Sequence, residues 1–83
     1  MKRIAVISAV LESPEESQTL FNEIVSSFQH IIKGRMGIPF SEEHIAVISL
    51  TVSGTLDEIN ALTGTLGKLP NVSVKTAVSK KEC

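Results

Sequence analysis

The pentapeptide Ile-Ala-Val-Ile-Ser occurs twice in this chain, at residues 4–8 and 45–49, and each copy is followed by the same plan. The first runs through Ala9-Val10-Leu11 to Ser13-Pro14-Glu15-Glu16. The second runs through Leu50-Thr51-Val52 to Thr55-Leu56-Asp57-Glu58. Each tetrad places Glu three residues after a hydroxyl residue. In such a capping box, hydroxyl and carboxylate each satisfy an orphan backbone N–H at a helix start. Pro14 also suits a first helical position, where its missing N–H costs nothing.

Helical spacing follows each cap. Leu20, Phe21, Ile24, Val25 and Phe28 form one stripe, with Glu16, Asn22, Glu23 and Ser27 mostly opposite. Ile59, Leu62, Leu66 and Leu69 recur at steps of three and four until Gly67 and Pro70 stop the second helix. Beyond it Val72, Val74, Thr76 and Val78 alternate with Ser73, Lys75 and Ala77, as in a strand. With residues 31–40 as a further strand, the chain reads as two β-α-β halves. Tandem halves of this kind predict an α+β, ferredoxin-like βαββαβ sandwich with a four-stranded antiparallel sheet and both helices on one face.

The repeated strands are expected at the centre of that sheet. Ala5, Ile7, Ala9, Leu11 and Ala46, Ile48, Leu50, Val52 should meet the helices. Ile4, Val6, Ser8, Val10 and Ile45, Val47, Ser49, Thr51 form the opposite face, which is more apolar than a solvated sheet face should be. We therefore expect a homo-oligomer, dimer or tetramer, in which another subunit covers it. Thin burial argues the same way, because a chain of 83 residues buries only roughly 60–65% of its unfolded surface. The expected organisation is one domain over residues 1–79 with a polar tail at 80–83.

Cys83 is the single cysteine, which excludes an intrachain disulfide and fits a reducing cytoplasm; its tail position suggests an inert thiol. The start Met1-Lys2-Arg3-Ile4-Ala5-Val6-Ile7 mimics a signal peptide, but Ser-Pro-Glu-Glu stands where a cleavage site would be. No apolar stretch has the length of a membrane span. Eight basic and nine acidic residues give a net charge of −1, so bulk attraction to nucleic acid or acidic membrane is not expected.

Residues 31–40, Ile-Ile-Lys-Gly-Arg-Met-Gly-Ile-Pro-Phe, look most like a site. Read with a period of two, Ile32, Gly34, Met36, Ile38 and Phe40 take the core side. Ile31, Lys33, Arg35, Gly37 and Pro39 then face out, and Ser41-Glu42-Glu43 makes the hairpin turn. As an edge strand, the segment would use Lys33, Arg35 and Pro39 against edge-to-edge aggregation. Lys33, Gly34, Arg35, Met36 and Gly37 are the candidate ligand or interface residues, Arg35 binding an anionic ligand or a partner's carboxylate. A KH-like GXXG loop clamping single-stranded RNA through Gly34–Gly37 is a further reading, but such a loop joins two helices and Pro39 opposes a following helix.

Other motifs carry less. Gly64-Thr65-Leu66-Gly67-Lys68 lacks the spacing of a phosphate loop and falls at a helix end, where the dipole has the wrong sign for phosphate. His30 and His44, the weak metal candidates, lie near opposite ends of the hairpin. A metal there would need groups from another subunit. Glu15-Glu16 and Glu42-Glu43 read as cap and turn chemistry. No pattern sets a base beside a nucleophile, so an enzyme is not expected and no catalytic residue or cofactor is assigned.

Several segments together carry a family resemblance: Arg-Ile-Ala-Val-Ile-Ser, Ile-x-Gly-Arg-Met-Gly-Ile-Pro-Phe, Ile-Ser-Leu, and Ala-Leu-Thr-Gly-Thr-Leu-Gly-Lys-Leu-Pro-Asn-Val-Ser-Val-Lys-Thr-Ala. The chain resembles the small stand-alone iron-only hydrogenase system regulators, related to ACT-like and nickel-regulator C-terminal domains. That resemblance implies the same fold, a regulatory role, and hydrogenase maturation or regulatory proteins as partners. ACT domains bind amino acids near the turn from first strand to first helix, usually at a glycine after a proline; here Glu15 follows Pro14. Nickel-regulator relatives carry a separate DNA-binding segment, for which there is no room before Ile4, so DNA is not expected to be read by this chain alone. Two modes of action stay open, a ligand-sensing oligomer and a structural adaptor with no ligand.

Overall fold

The computed structural model describes residues 1–82. Its elements are β1 (Arg3–Leu11), α1 (Pro14–Ser27), β2 (Ile32–Phe40), β3 (Ile45–Gly54), α2 (Leu56–Gly67) and β4 (Val72–Val78). The strands form one antiparallel sheet in the order β2-β3-β1-β4, so the two Ile-Ala-Val-Ile-Ser strands are the central pair and β2 is an edge. Cys83 lies outside the described residues, as does its expected role as an inert thiol.

Alternation in β1 and β3 sets the core. Ala5, Ile7, Ala9 and Leu11 are buried, as are Ala46, Ile48, Leu50 and Val52, and all pack with Phe21, Val25, Ile59, Leu62 and Leu66 from the helices. The α1 stripe is rotated slightly from its expected centre. Ser17, Phe21 and Val25 are its buried line, while Leu20 is exposed. Ser17 is tolerated at 0% exposure because its Oγ donates to the Ser13 carbonyl at 3.2 Å.

Only the second capping box closes. Thr55 Oγ1 accepts from the Glu58 amide at 3.1 Å, and Glu58 Oε1 accepts from the Thr55 amide at 2.8 Å. Ser13 is the N-cap of α1, but its side chain makes no cap bond. Its backbone ψ is 69°, against 159° at Thr55, so its hydroxyl is not presented to the first-turn amides.

Candidate functional site

A bulge in β2 decides the geometry of residues 31–40. Ile32 pairs with Val52, and the next register partner is Gly34 with Thr51, which leaves Lys33 as an extra residue. An inserted residue shifts the period-two pattern by one, so every later side chain changes face. Arg35, Gly37 and Pro39 therefore stand opposite the core residues Leu50, Ile48 and Ala46, on the helix side. Met36, Ile38 and Phe40 stand opposite Ser49, Val47 and Ile45, on the open side. This reverses the expectation that Met36 and Ile38 point inward and Arg35 outward. Ile31, expected to face out, is buried just before the strand, and its carbonyl accepts from the Ser53 amide at 2.8 Å.

On the helix side, Arg35 reaches α1. Its Nη2 donates to Asn22 Oδ1 at 2.7 Å, and its guanidinium carbon lies 5.9 Å from the centroid of the buried Phe21 ring. Among the described residues, no carboxylate pairs with it. Between α1 and β2 runs a groove in two sections that share Gln18, Pro39 and Ala46. One section, about 180 Å³, reaches Arg35 and Gly37. The other, about 250 Å³, reaches Glu15, Ser41 and His44. The groove exists because this stretch of β2 offers little bulk to the helix side: Gly37 has no side chain, and a Cβ built there would touch only Ile48 Cγ1, at 3.9 Å.

On the open side, Ile4, Val6, Val10, Met36, Ile38 and Phe40 are all exposed. Ile38, Val47 and Val10 sit in one row across β2, β3 and β1, with Phe40 and Ile45 paired beside them. The bulge thus enlarges the apolar face that β1 and β3 alone already suggested.

The five candidate residues are therefore split. Arg35 and Gly37 belong to the groove, Gly34 and Met36 to the open face, and Lys33 is the bulge. Asn22, Gln18 and Phe21 complete the Arg35 setting and escaped the sequence reading. The pattern placed Phe21 in the core and Asn22 on the polar face, with nothing to say that a strand cation reaches them. Gly34 and Gly37 lie within a strand rather than in a loop between helices, which removes the geometric basis for KH-like RNA binding.

His30 Nε2 lies 3.1 Å from Glu58 Oε2, whereas His44 closes the turn at residues 41–44 with φ 56°. Among the described residues, no group of three or more His, Cys, Asp or Glu could hold a metal. The Gly64–Lys68 segment covers the last turn and C-cap of α2. No helix among the described residues is long and apolar enough to cross a membrane.

Comparison with known proteins places this architecture. Residues 3–76 match the TM1266-like family, described as "Iron-only hydrogenase system regulator, putative". The uncharacterized protein TM1266 from Thermotoga maritima is 36% identical, with a TM-score of 0.91 over 96% of this chain and 100% of that one. The ACT domain of a GTP pyrophosphokinase from Chlorobium tepidum superposes with a TM-score of 0.78 at 19% identity, over 93% of this chain and 100% of its own. The C-terminal domain of the MgtC protein from Mycobacterium tuberculosis gives 0.71 at 10% identity, over 98% and 92%. These last two show a shared fold alone. A search of the curated proteins found no match. With the family match spanning nearly the whole chain and the fold in agreement, this protein belongs to the TM1266-like family of iron-only hydrogenase system regulators, described as putative.

Proposed function

We propose that the chain is a small self-associating module that regulates the iron-only hydrogenase system through contacts with hydrogenase maturation or regulatory proteins. The supporting observation is the open sheet face, where Ile4, Val6, Val10, Met36, Ile38 and Phe40 gather on one surface with no helix over them. A patch of this kind marks an interaction surface. A second copy is the natural cover, because two such sheets can stack about 10 Å apart with their side chains interdigitated. Family membership supplies the system in which the assembly acts. Regulation then works through the assembled state, which a partner protein reads, and not through DNA contacts made by this chain alone.

The test is genetic and biochemical together. In a host whose hydrogenase system includes this protein, its removal should change the yield of active hydrogenase severalfold. Restoring the wild-type chain should reverse the change, while restoring Ile38→Glu should not. Unchanged hydrogenase yield on removal would refute the regulatory reading. Full function of an Ile38→Glu protein shown to be monomeric would refute the role of assembly.

Two modes of this module, a ligand-sensing oligomer and a structural adaptor that binds no ligand, differ in one measurable respect. A sensor is stabilised by its ligand, by about 2.7 kcal/mol at a hundredfold excess over Kd, whereas an adaptor shows no thermal shift with any metabolite or metal.

A further inference from the structure

The geometry points to a carboxylate-binding site within a single chain, in the groove between α1 and β2, with Arg35 as the anchoring cation. This goes beyond self-association, because the groove lies on the helix side of the sheet, away from the apolar open face. Three observations carry it.

The first is the state of Arg35. An arginine on an edge strand ordinarily extends into water or pairs with an acidic neighbour; Arg35 is exposed, but its guanidinium is turned onto α1 and, among the described residues, pairs with no carboxylate. Its Nη2 is held by an amide oxygen, Asn22 Oδ1, at 2.7 Å, and Phe21 lies beneath the guanidinium. A neutral acceptor fixes the orientation of a guanidinium without cancelling its charge. The remaining N–H donors keep the fork geometry that matches a carboxylate.

The second is the floor. Gly37, Pro39 and Ala46 give a surface of small or flat residues, with the Ile48 side chain below Gly37. An aliphatic or flat body can lie there without displacing any side chain. The third is size: the section next to Arg35 holds about 180 Å³, room for a molecule of several carbon atoms and too little for a nucleotide. The occupant these features select is a small carboxylic acid. Its carboxylate would sit on Arg35, its apolar body on Gly37 and Pro39, and any polar substituent would be within reach of Gln18.

Sodium hexanoate serves as the probe, titrated into the full isotope-labelled chain and followed by amide chemical shifts, with hexylammonium chloride as the probe of opposite charge. An eight-heavy-atom ligand should bind with a Kd of roughly millimolar order. Hexanoate should give saturable shifts centred on Arg35, Gly37 and Ala46, and hexylammonium none at the same concentrations. Arg35→Gln should weaken hexanoate about tenfold or more, as expected for loss of a charged hydrogen-bond pair. Asn22→Asp keeps the arginine but neutralises it, and should weaken hexanoate comparably in a chain whose amide spectrum stays folded. Gly37→Val should abolish saturation by filling the floor.

Equal shifts with both probes, saturation unaffected by Arg35→Gln and Asn22→Asp, or the absence of saturable shifts up to about 50 mM hexanoate would overturn the site. None of these outcomes bears on assembly through the open face, so the two readings fail separately.

Discussion

Glu58 ties three segments together at one corner of the fold. Its Oε1 accepts from the Thr55 amide at 2.8 Å, its Oε2 meets His30 Nε2 at 3.1 Å, and Gly54 lies directly beneath. These bonds hold its carboxyl below the ordinary glutamate range, first through the Thr55 amide and then through His30. A value lowered by folding stabilises the native state above the unfolded value, about 4.3, and that contribution is lost as pH falls through the folded value. Urea unfolding between pH 6 and pH 3 should therefore show a steeper acid loss in the wild type than in Glu58→Gln; equal slopes would contradict this. At Gly54, an added Cβ would stand 2.9 Å from Ile31 Cγ2 and 3.0 Å from Glu58 Oε1. Gly54→Ala should cost about 1–3 kcal/mol, the usual penalty for crowding a packed site, measured by the same unfolding titration. The sequence shows Gly54 before a cap; it does not show that Ile31 packs against it from a distant segment.

At the scale of elements, the two helix starts share a motif but not a structure, and mutation should separate them. Thr55→Ala should cost about 1 kcal/mol by removing a formed cap, while Ser13→Ala should cost only a few tenths, since no cap bond is lost. Comparing the two urea midpoints checks this, and equal losses would contradict it. Element types, order and the central strand pair were all legible, because the repeat and the periodicities of β1, β3 and α2 are set by local side-chain pattern. What misled was β2. A single bulge at Lys33 leaves composition and length unchanged yet reverses the faces of every residue from Gly34 to Phe40. Alternation alone gives relative faces, not which one meets the core, and Met36, Ile38 and Phe40 look like core residues to any count of hydrophobicity. Their apolar character instead belongs to the open face, where Val47, Val10 and Ile45 join them. The candidate segment contributes to both the groove and the open sheet face, and the two only separate once the register is known.

For the molecule as a whole, both helices cover one side of a four-stranded sheet and leave the other bare. Covering a half-exposed isoleucine or phenylalanine there contributes roughly 1 kcal/mol each, so a second copy gains from several such side chains at once. Ile38 lies in the middle of that face, in the row with Val47 and Val10, and a charge there would be stranded in the interface at a cost far above any loss in the isolated chain. Self-association is the property on which the regulatory reading depends, and sedimentation of the full chain at micromolar concentration measures it most directly. The wild type should sediment as a dimer or larger, and Ile38→Glu as a folded 8.9 kDa monomer with an unchanged circular dichroism spectrum. A wild-type chain that sediments as a monomer, or an Ile38→Glu chain that assembles as the wild type does, would contradict the account.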